Sequence, residues 1–418
     1  MNRMWQLHIT QHKRFTLWAH SNFCFAKTSF ILETLGEMLF KMLKRGKKMK
    51  AMFRFLGFIG IFIAFAITLL SCATRERKDF PALLNEIKMM EIPEDVVKIL
   101  GYASLASSSH NTQPWRIKII SDYEFIIQSD STRWLQKVDP ENRELLLSIG
   151  CFLENLDQAA KASGYEAQTE ILATNPEDAD ILKVKLIKSR PINYNLDAIT
   201  GATAVRKPYD KKDLLSSQLD ELKGLLPSNH FKYFSRESKE GEWIAKSLIE
   251  ANRKQAFNDE KQKELAEWLR FSRSDSKERG DGLTPDMLGL SGITKFFWYT
   301  FMSKKSALSE SFRNKGVENV KKQVNNCAGF IVITSEDSSI PSLLQSGREF
   351  QRLTIKCTEL KIGIHPMSQL MEESPWNEWF KDSLGFSKPI QFVLRVGYSK
   401  EWPKQGIRRS VKDFIIHE

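Results

Sequence analysis

Eleven consecutive residues, Ala106 to Arg116, hold four hydroxyls, one imidazole, two side-chain amides and an indole. Asn111 and Gln113 each offer an acceptor and donors, and Ser108 and Ser109 offer either. A neutral, hydrogen-bonding loop of this kind suits a flat heterocycle with alternating donors and acceptors. A site built on such pairs discriminates strongly against a partner that leaves them unmade. The competing reading is a capped turn, because Ser, Asn and Thr also serve at helix ends and turns. His110 is open between helix capping and ligand contact.

The elements that must hold this loop are legible on both sides. Val96, Val97, Leu100 and Leu105 follow helical spacing before it, and Trp115 to Ile120 reads as a strand after it. Further strands are expected near residues 123–129, 166–172 and 181–188. Between them Asp139-Pro140 opens a helix that runs to about Ser163, where Gly164 stops it. Leu145, Ile149, Phe152, Leu153, Leu156 and Ala160 share one face of that helix. Leu146, Leu147 and Cys151 widen the face until burial nearly all round is expected. Residues 190–205 link to a second half. There the pattern gives a helix near 211–224, a strand at 231–234 and a long charged helix from 239 to 271. A loop at 272–292, a buried strand at 328–334, a helix from Pro341 to Leu360 and a last strand at 390–396 follow. Helices and strands do not alternate as βαβ units, so the fold class is α+β, in two related halves, residues 93–200 and 201–418.

The 418 residues suffice for two domain-sized cores, and the net charge is +11. That charge is local. Residues 1–72 carry eleven Lys/Arg against two Asp/Glu, and the remainder is nearly balanced, which removes the main support for a nucleic-acid partner. Seven basic residues from Lys41 to Arg54 precede an uncharged run, Phe55 to Ser71, that ends in Leu69-Leu70-Ser71-Cys72. A basic region, an apolar stretch and a small residue before the cut form a secretory signal. With Cys72 at its end, residues 49–72 resemble a bacterial lipoprotein signal in which Cys72 is lipidated. A simple membrane anchor is the alternative. Either reading puts the body on a membrane outside the cytoplasm, with residues 73–92 as tether. Residues 1–48 lie ahead of this signal, either because the true start is Met49 or as an N-terminal extension. Cys151, Cys327 and Cys357 sit far apart in apolar runs and are expected as buried thiols, not a disulfide or zinc framework.

The loop Ser107-Ser108-Ser109-His110-Asn111-Thr112-Gln113-Pro114-Trp115 resembles the A-P-S-x-x-N-x-Q-P-W signature of the nitroreductase family of FMN-dependent oxidoreductases. It is most similar to the fused-dimer, Acg-like branch, with Ser107 standing where the family has Pro. Four further segments carry the same resemblance in the same order. They are Asp139-Pro140-Glu141-Asn142-Arg143-Glu144 with Gly150; Arg206-Lys207-Pro208-Tyr209; Gly347-Arg348 followed by Gly363 to Gln369; and Gly397-Tyr398 with Arg408-Arg409. The likeness covers roughly residues 93–418.

It implies a monomeric pseudo-dimer with one composite FMN site. Ser108, Ser109, Asn111 and Gln113 would come from the first half. Arg206, His365, Pro366, Ser368, Arg408 and Arg409 would come from the second, the arginines for phosphate, whose oxygens their planar donors fit. Residues 268–292 lie where the branch carries a lid, and Asp281-Gly282 resembles part of it. Gly201 to Val205 supplies neither the Arg nor the Ser that the family has just upstream of Arg206. Trp115 and Tyr209 are expected in the core. The implied activity passes electrons from NAD(P)H or another donor, through FMN, to a nitroaromatic or quinone. Two other readings stand beside it: a flavin-binding or flavin-sequestering protein without turnover, and a structural lipoprotein with a filled pocket. There is no G-x-G-x-x-G, G-x-x-x-x-G-K-[ST], H-E-x-x-H or G-x-S-x-G.

Overall fold

A computed structural model describes residues 56–61, 92–403 and 406–416. The chain divides into two units, Met1–Thr74 and Arg75–Glu418. Of the first, only a helical stretch at 56–61 is described; Cys72, residues 1–48 and the tether up to residue 91 lie outside the described residues. No helix among the described residues is long and apolar enough to cross a membrane.

The second unit is α+β with two sheets. Helix α1 (Glu94–Ala103) leads into strands β1 (Trp115–Ser121) and β2 (Glu124–Ser129), then helix α2 (Arg143–Ala162), then β3 (Tyr165–Ile171) and β4 (Asp180–Lys188). The second sheet is built from β5 (Phe231–Ser235), β6 (Gly329–Thr334), β7 (Ile362–Pro366) and β8 (Ile390–Tyr398). Helix α3 (Lys239–Ala256) follows β5, helix α4 (Gly292–Phe301) precedes β6, and helix α5 (Ile340–Glu359) links β6 to β7. The strand orders are β3-β4-β2-β1-β9 and β5-β6-β8-β7. Strand β9 is Ile415–Ile416, from the far end of the chain. It pairs in parallel with β1, Ile117 opposite Ile415.

Most elements fall where hydrophobic periodicity puts them, and the departures have local causes. The helix expected at 239–271 is broken: α3 ends at Ala256, and a separate helix, Asp259–Trp268, starts because the Asn258 side chain caps the amides of Glu260 and Lys261. The expected loop at 272–292 contains the helix Arg273–Arg279, capped by Ser272 and stopped by Gly280. Helix α2 begins at Arg143, three residues after Pro140, and the Asp139 carboxylate accepts from the Leu145 amide at 3.0 Å.

The halves do not have separate cores. The largest apolar cluster joins Trp115, Phe152 and Phe414 with Ile331, Leu353 and Ile364, drawing on both sheets and on α2 and α5. Those two helices cross backbone against backbone. A Cβ on Gly150 would stand 2.2 Å from the Leu344 carbonyl oxygen, and one on Gly347 2.1 Å from that of Leu147. Above the crossing, Glu154 on α2 binds Arg348 at 3.1 Å and Arg352 at 2.8 Å, both on α5. Burial pushes the Glu154 carboxyl up, but the two arginines hold it below the usual range. Asn155 accepts from Gln351 at 3.0 Å, and Gln351 accepts from the Ser107 amide at 3.2 Å. The central helices thus fix the loop before the first strand. Cys151, Cys327 and Cys357 are buried free thiols, as expected.

Candidate functional site

The loop that opens the sequence is held in a conformation few side chains choose. His110, Asn111 and Gln113 have φ of 48°, 55° and 52°, in the left-handed region. Two groups of hydrogen bonds hold it there. On the inner side the Ser108 hydroxyl accepts from the Gln113 amide at 3.0 Å, and the Ser109 hydroxyl donates to Glu144. On the outer side the loop is tied to the segment around Gly282 and to the end of the chain. Asn111 donates to the carbonyls of Gly282 at 3.0 Å and Ile407 at 3.1 Å, and its oxygen accepts from Arg408 at 3.1 Å. Gln113 donates to Gly280 O at 2.8 Å and accepts from the Arg409 amide at 2.9 Å.

The segment the loop grips is itself anchored. Asp281 forms buried ion pairs with Arg270 at 2.6 Å and Arg133 at 2.7 Å. Gly282, at φ 75°, passes so close to Trp268 that a Cβ would lie 2.5 Å from its carbonyl oxygen. Residues 280–290 therefore cover the loop as a fixed flap.

Beneath it lies a cavity of about 200 Å³ lined from both halves. Ser108, Ser109, His110 and Glu144 line it from the first half, and Arg206, His365, Pro366, Ser368 and Glu372 from the second. A second cavity of about 70 Å³ shares Ser108, Arg206 and Pro366 with it and is also lined by Asn111 and Arg408. Of the ten residues expected at the site, eight thus line one cavity or both. Gln113 and Arg409 line neither. Gln113 is fully buried with its amide paired on both sides. Arg409, 4% exposed, donates to the carbonyls of Gln113 at 2.8 Å and Asp413 at 2.7 Å, so it closes the chain end onto the loop. Asn111 and Arg408 reach the smaller cavity, but their polar groups are engaged in the same lacing. Tyr209 and Trp115 are in the core: the Tyr209 hydroxyl donates to Val205 O, and Arg395 lies 3.8 Å over its ring.

The electrostatics are uneven along the cavity. Arg206 stands where the two cavities meet, with a hydrogen bond to Met287 O at 2.8 Å. Burial lowers its pKa to about 10, Arg395 adding to the effect against Tyr209, so it is a cation at neutral pH facing open space. His365 is 7% exposed and its Nδ1 has no partner. Burial, then Arg206 and Arg395, hold it well below the usual imidazole range. His110 also has an unpartnered Nδ1, and burial brings its pKa to about 4 although Glu144 opposes the shift. Both imidazoles are therefore neutral, each with a buried ring nitrogen that has no hydrogen-bond partner.

Sequence reasoning missed Glu144 as a site residue, and Gln255 and Glu372 altogether. Glu144 was legible: with Leu147, Ser148 and Cys151 it falls at helical spacing, and that face of α2 lines the cavity. Glu372 and Gln255 carry no comparable signal, because only the packing of the short helix Gln369–Glu372 beside α3 brings them there.

No family model matches the chain. Among curated proteins it is 21% identical over 318 residues to PigM of a Serratia species, described as a probable NAD(P)H nitroreductase; the match takes in 72% of this chain and 88% of that one. It is 30% identical over 121 residues to a Mycobacterium tuberculosis protein provisionally named as an NAD(P)H nitroreductase, covering 28% of this chain and 34% of the relative. Among solved structures, a nitroreductase with bound FMN from Desulfitobacterium hafniense aligns over 54% of this chain and 99% of that one, at 14% identity and a TM-score of 0.32.

Proposed function

We propose, on the premise that this chain is a nitroreductase-family oxidoreductase, that it binds FMN in the composite cavity and passes electrons from NAD(P)H or another donor to a nitroaromatic or quinone. One observation carries the reading: a single cavity, lined from both halves, joins a cation to two neutral imidazoles whose Nδ1 atoms have no partner. The residues present fit such a cofactor. Arg206 offers a guanidinium for the phosphate, and Ser108, Ser109, Ser368 and His365 offer neutral polar contacts for a ring and its side chain. When bound, FMN supplies the two-electron chemistry; the protein supplies binding, orientation and electrostatics. With both halves in one chain, the working unit is a monomer.

The experiment is direct. The full-length chain, purified in detergent, is denatured, and the supernatant spectrum is recorded before and after incubation with FMN. Flavin bands, with NADPH oxidation in the presence of a nitroaromatic, are expected; no flavin and no uptake would sink the reading. Arg206→Ala should weaken FMN roughly 10- to 100-fold, the worth of a charged hydrogen bond, and more at low salt than at high. Unchanged FMN affinity in that variant would move the phosphate elsewhere.

A second reading, a flavin binder without turnover, is favoured by the flap. The Met287 carbonyl engages Arg206, and Gly282 O engages Asn111, so the flap competes with a ligand for these donors. Bound FMN without NADPH oxidation would select it.

We further infer that the body is held on a membrane outside the cytoplasm through the segment ending at Cys72. The basic flank and uncharged run of residues 41–71 support this. Cys72→Ser should abolish incorporation of labelled palmitate and release the protein from the membrane fraction. Continued incorporation would reject lipidation at Cys72.

A further inference from the structure

Two carboxyl groups face each other in the larger cavity, and the reading so far gives them no task. Glu144 comes from the first turn of α2 and is 6% exposed; Glu372 comes from the helix Gln369–Glu372 in the second half. Their carboxyl groups lie within hydrogen-bonding reach of one another. Such a bond needs a proton, because a carboxylate only accepts. The surroundings say where it sits. Arg143 lies 3.3 Å from Glu144, and the Ser109 hydroxyl donates to it, and both favour its charged form. Glu372 has the Ser368 hydroxyl and the Gln255 amide beside it and no cation among its principal influences. Burial and the Glu144 charge hold its carboxyl well above the usual range. Asp139, raised to about 6 by burial and by Glu144, lies beside the pair, and Lys261 donates to the Glu372 carbonyl at 3.0 Å. At neutral pH the pair therefore carries one shared proton, placed on Glu372.

An acidic pair alone is no site, but this one lines the same cavity as His365, whose buried Nδ1 has no partner. That buried nitrogen calls for a ligand with a polar edge at the same place. We propose that the Glu144–Glu372 pair is the proton donor to the acceptor reduced in this cavity, a ring bearing a carbonyl or nitro oxygen. The inference rests on the oxidoreductase reading above. For a quinone the balance is as follows. The acceptor takes two electrons and one proton, as hydride, from reduced flavin, and its second proton from Glu372. The O–H bond of Glu372 breaks as an O–H bond forms on the acceptor, and hydroquinone leaves. The pair, now two carboxylates, regains a proton from water. A second negative charge beside Glu144 drives that return, so the donor is reset without a separate base.

The test uses E372Q, whose amide keeps the shape and a hydrogen bond to Glu144 but has no acidic proton. With FMN bound, oxidation of the reduced enzyme by benzoquinone should slow roughly 100-fold or more, the usual worth of a general acid. Flavin bleaching by NADPH, which needs no proton from the pair, should keep its rate. Glu372→Asp, which retains the acid, should recover part of the loss. An E372Q enzyme reoxidised at the wild-type rate would overturn the proposal. A second arm needs no flavin. Because Glu372 is raised in the folded protein, the native state holds a proton that the unfolded chain releases. Stability should therefore fall as pH rises from the ordinary carboxylate range through the folded pKa. E372Q should lose the Glu372 share of that decline and keep only the part due to Asp139, measured as melting temperature against pH. If the wild type binds no flavin, the oxidoreductase reading fails by itself. The pH series still decides the pair, and a decline that persists undiminished in E372Q overturns it.

Discussion

Gly347→Ala is expected to lower the melting temperature of the flavin-free protein by roughly 3–6 °C, and Gly150→Ala to act similarly. At either position the new methyl would meet backbone of the opposite helix, at 2.1 Å or 2.2 Å, and backbone cannot rotate away as a side chain can. Overpacking a core costs typically about 1–3 kcal/mol and occasionally more. A clash with main chain on both sides belongs at or above the upper end. Alanine gains back about 1 kcal/mol of helix propensity, which does not offset it. In a chain of this size each kcal/mol moves the midpoint by roughly 1–1.5 °C. Because the crossing sets α2 against α5, the composite cavity should lose its shape as well. Gly316→Ala is the internal control. It lies in the helix Glu310–Val324 with nothing within 4 Å of its would-be Cβ, so alanine there should be neutral or stabilising. A Gly347→Ala protein that melts within about 2 °C of wild type would refute the close crossing.

The second large effect separates two arginines that look alike in the sequence. Arg409→Ala should destabilise the flavin-free protein by several kcal/mol, while Arg206→Ala should leave its melting nearly unchanged. Arg409 is buried against the Phe414 ring and satisfies the carbonyls of Gln113 and Asp413. Each buried polar group left unsatisfied costs roughly 1–3 kcal/mol, and Arg409 serves at least two. Its loss also loosens the return of the chain end to β1. Arg206 has one hydrogen bond and faces the cavity, so its removal relieves a buried cation as much as it breaks a contact. Thermal unfolding of the two variants without flavin, beside FMN titrations, checks this. Equal melting for both, with FMN affinity lost in Arg409→Ala, would restore Arg409 to the phosphate and displace Arg206.

The sequence by itself determined the α+β class, most strands and the buried central helices, because these depend on hydrophobic period and on local stops such as Gly164. It also marked the loop at Ser108–Gln113, whose residue types are unusual wherever they point. Tertiary structure decided which way they point. With φ positive at His110, Asn111 and Gln113, the two amides turn outward to Gly280, Gly282 and the chain end, while the serines and His110 line the cavity. No period encodes that, because it depends on carbonyls more than 160 residues away. The same holds for the end of the chain. Arg408 and Arg409 are adjacent, yet one reaches a cavity wall and the other laces β9 to the first sheet, a difference set by the parallel pairing of Ile415 with Ile117. Glu144 could be placed on a helix face from sequence, but its partner Glu372 could not. A contact between residues 228 positions apart on different halves exists only once α2 and the second half have packed.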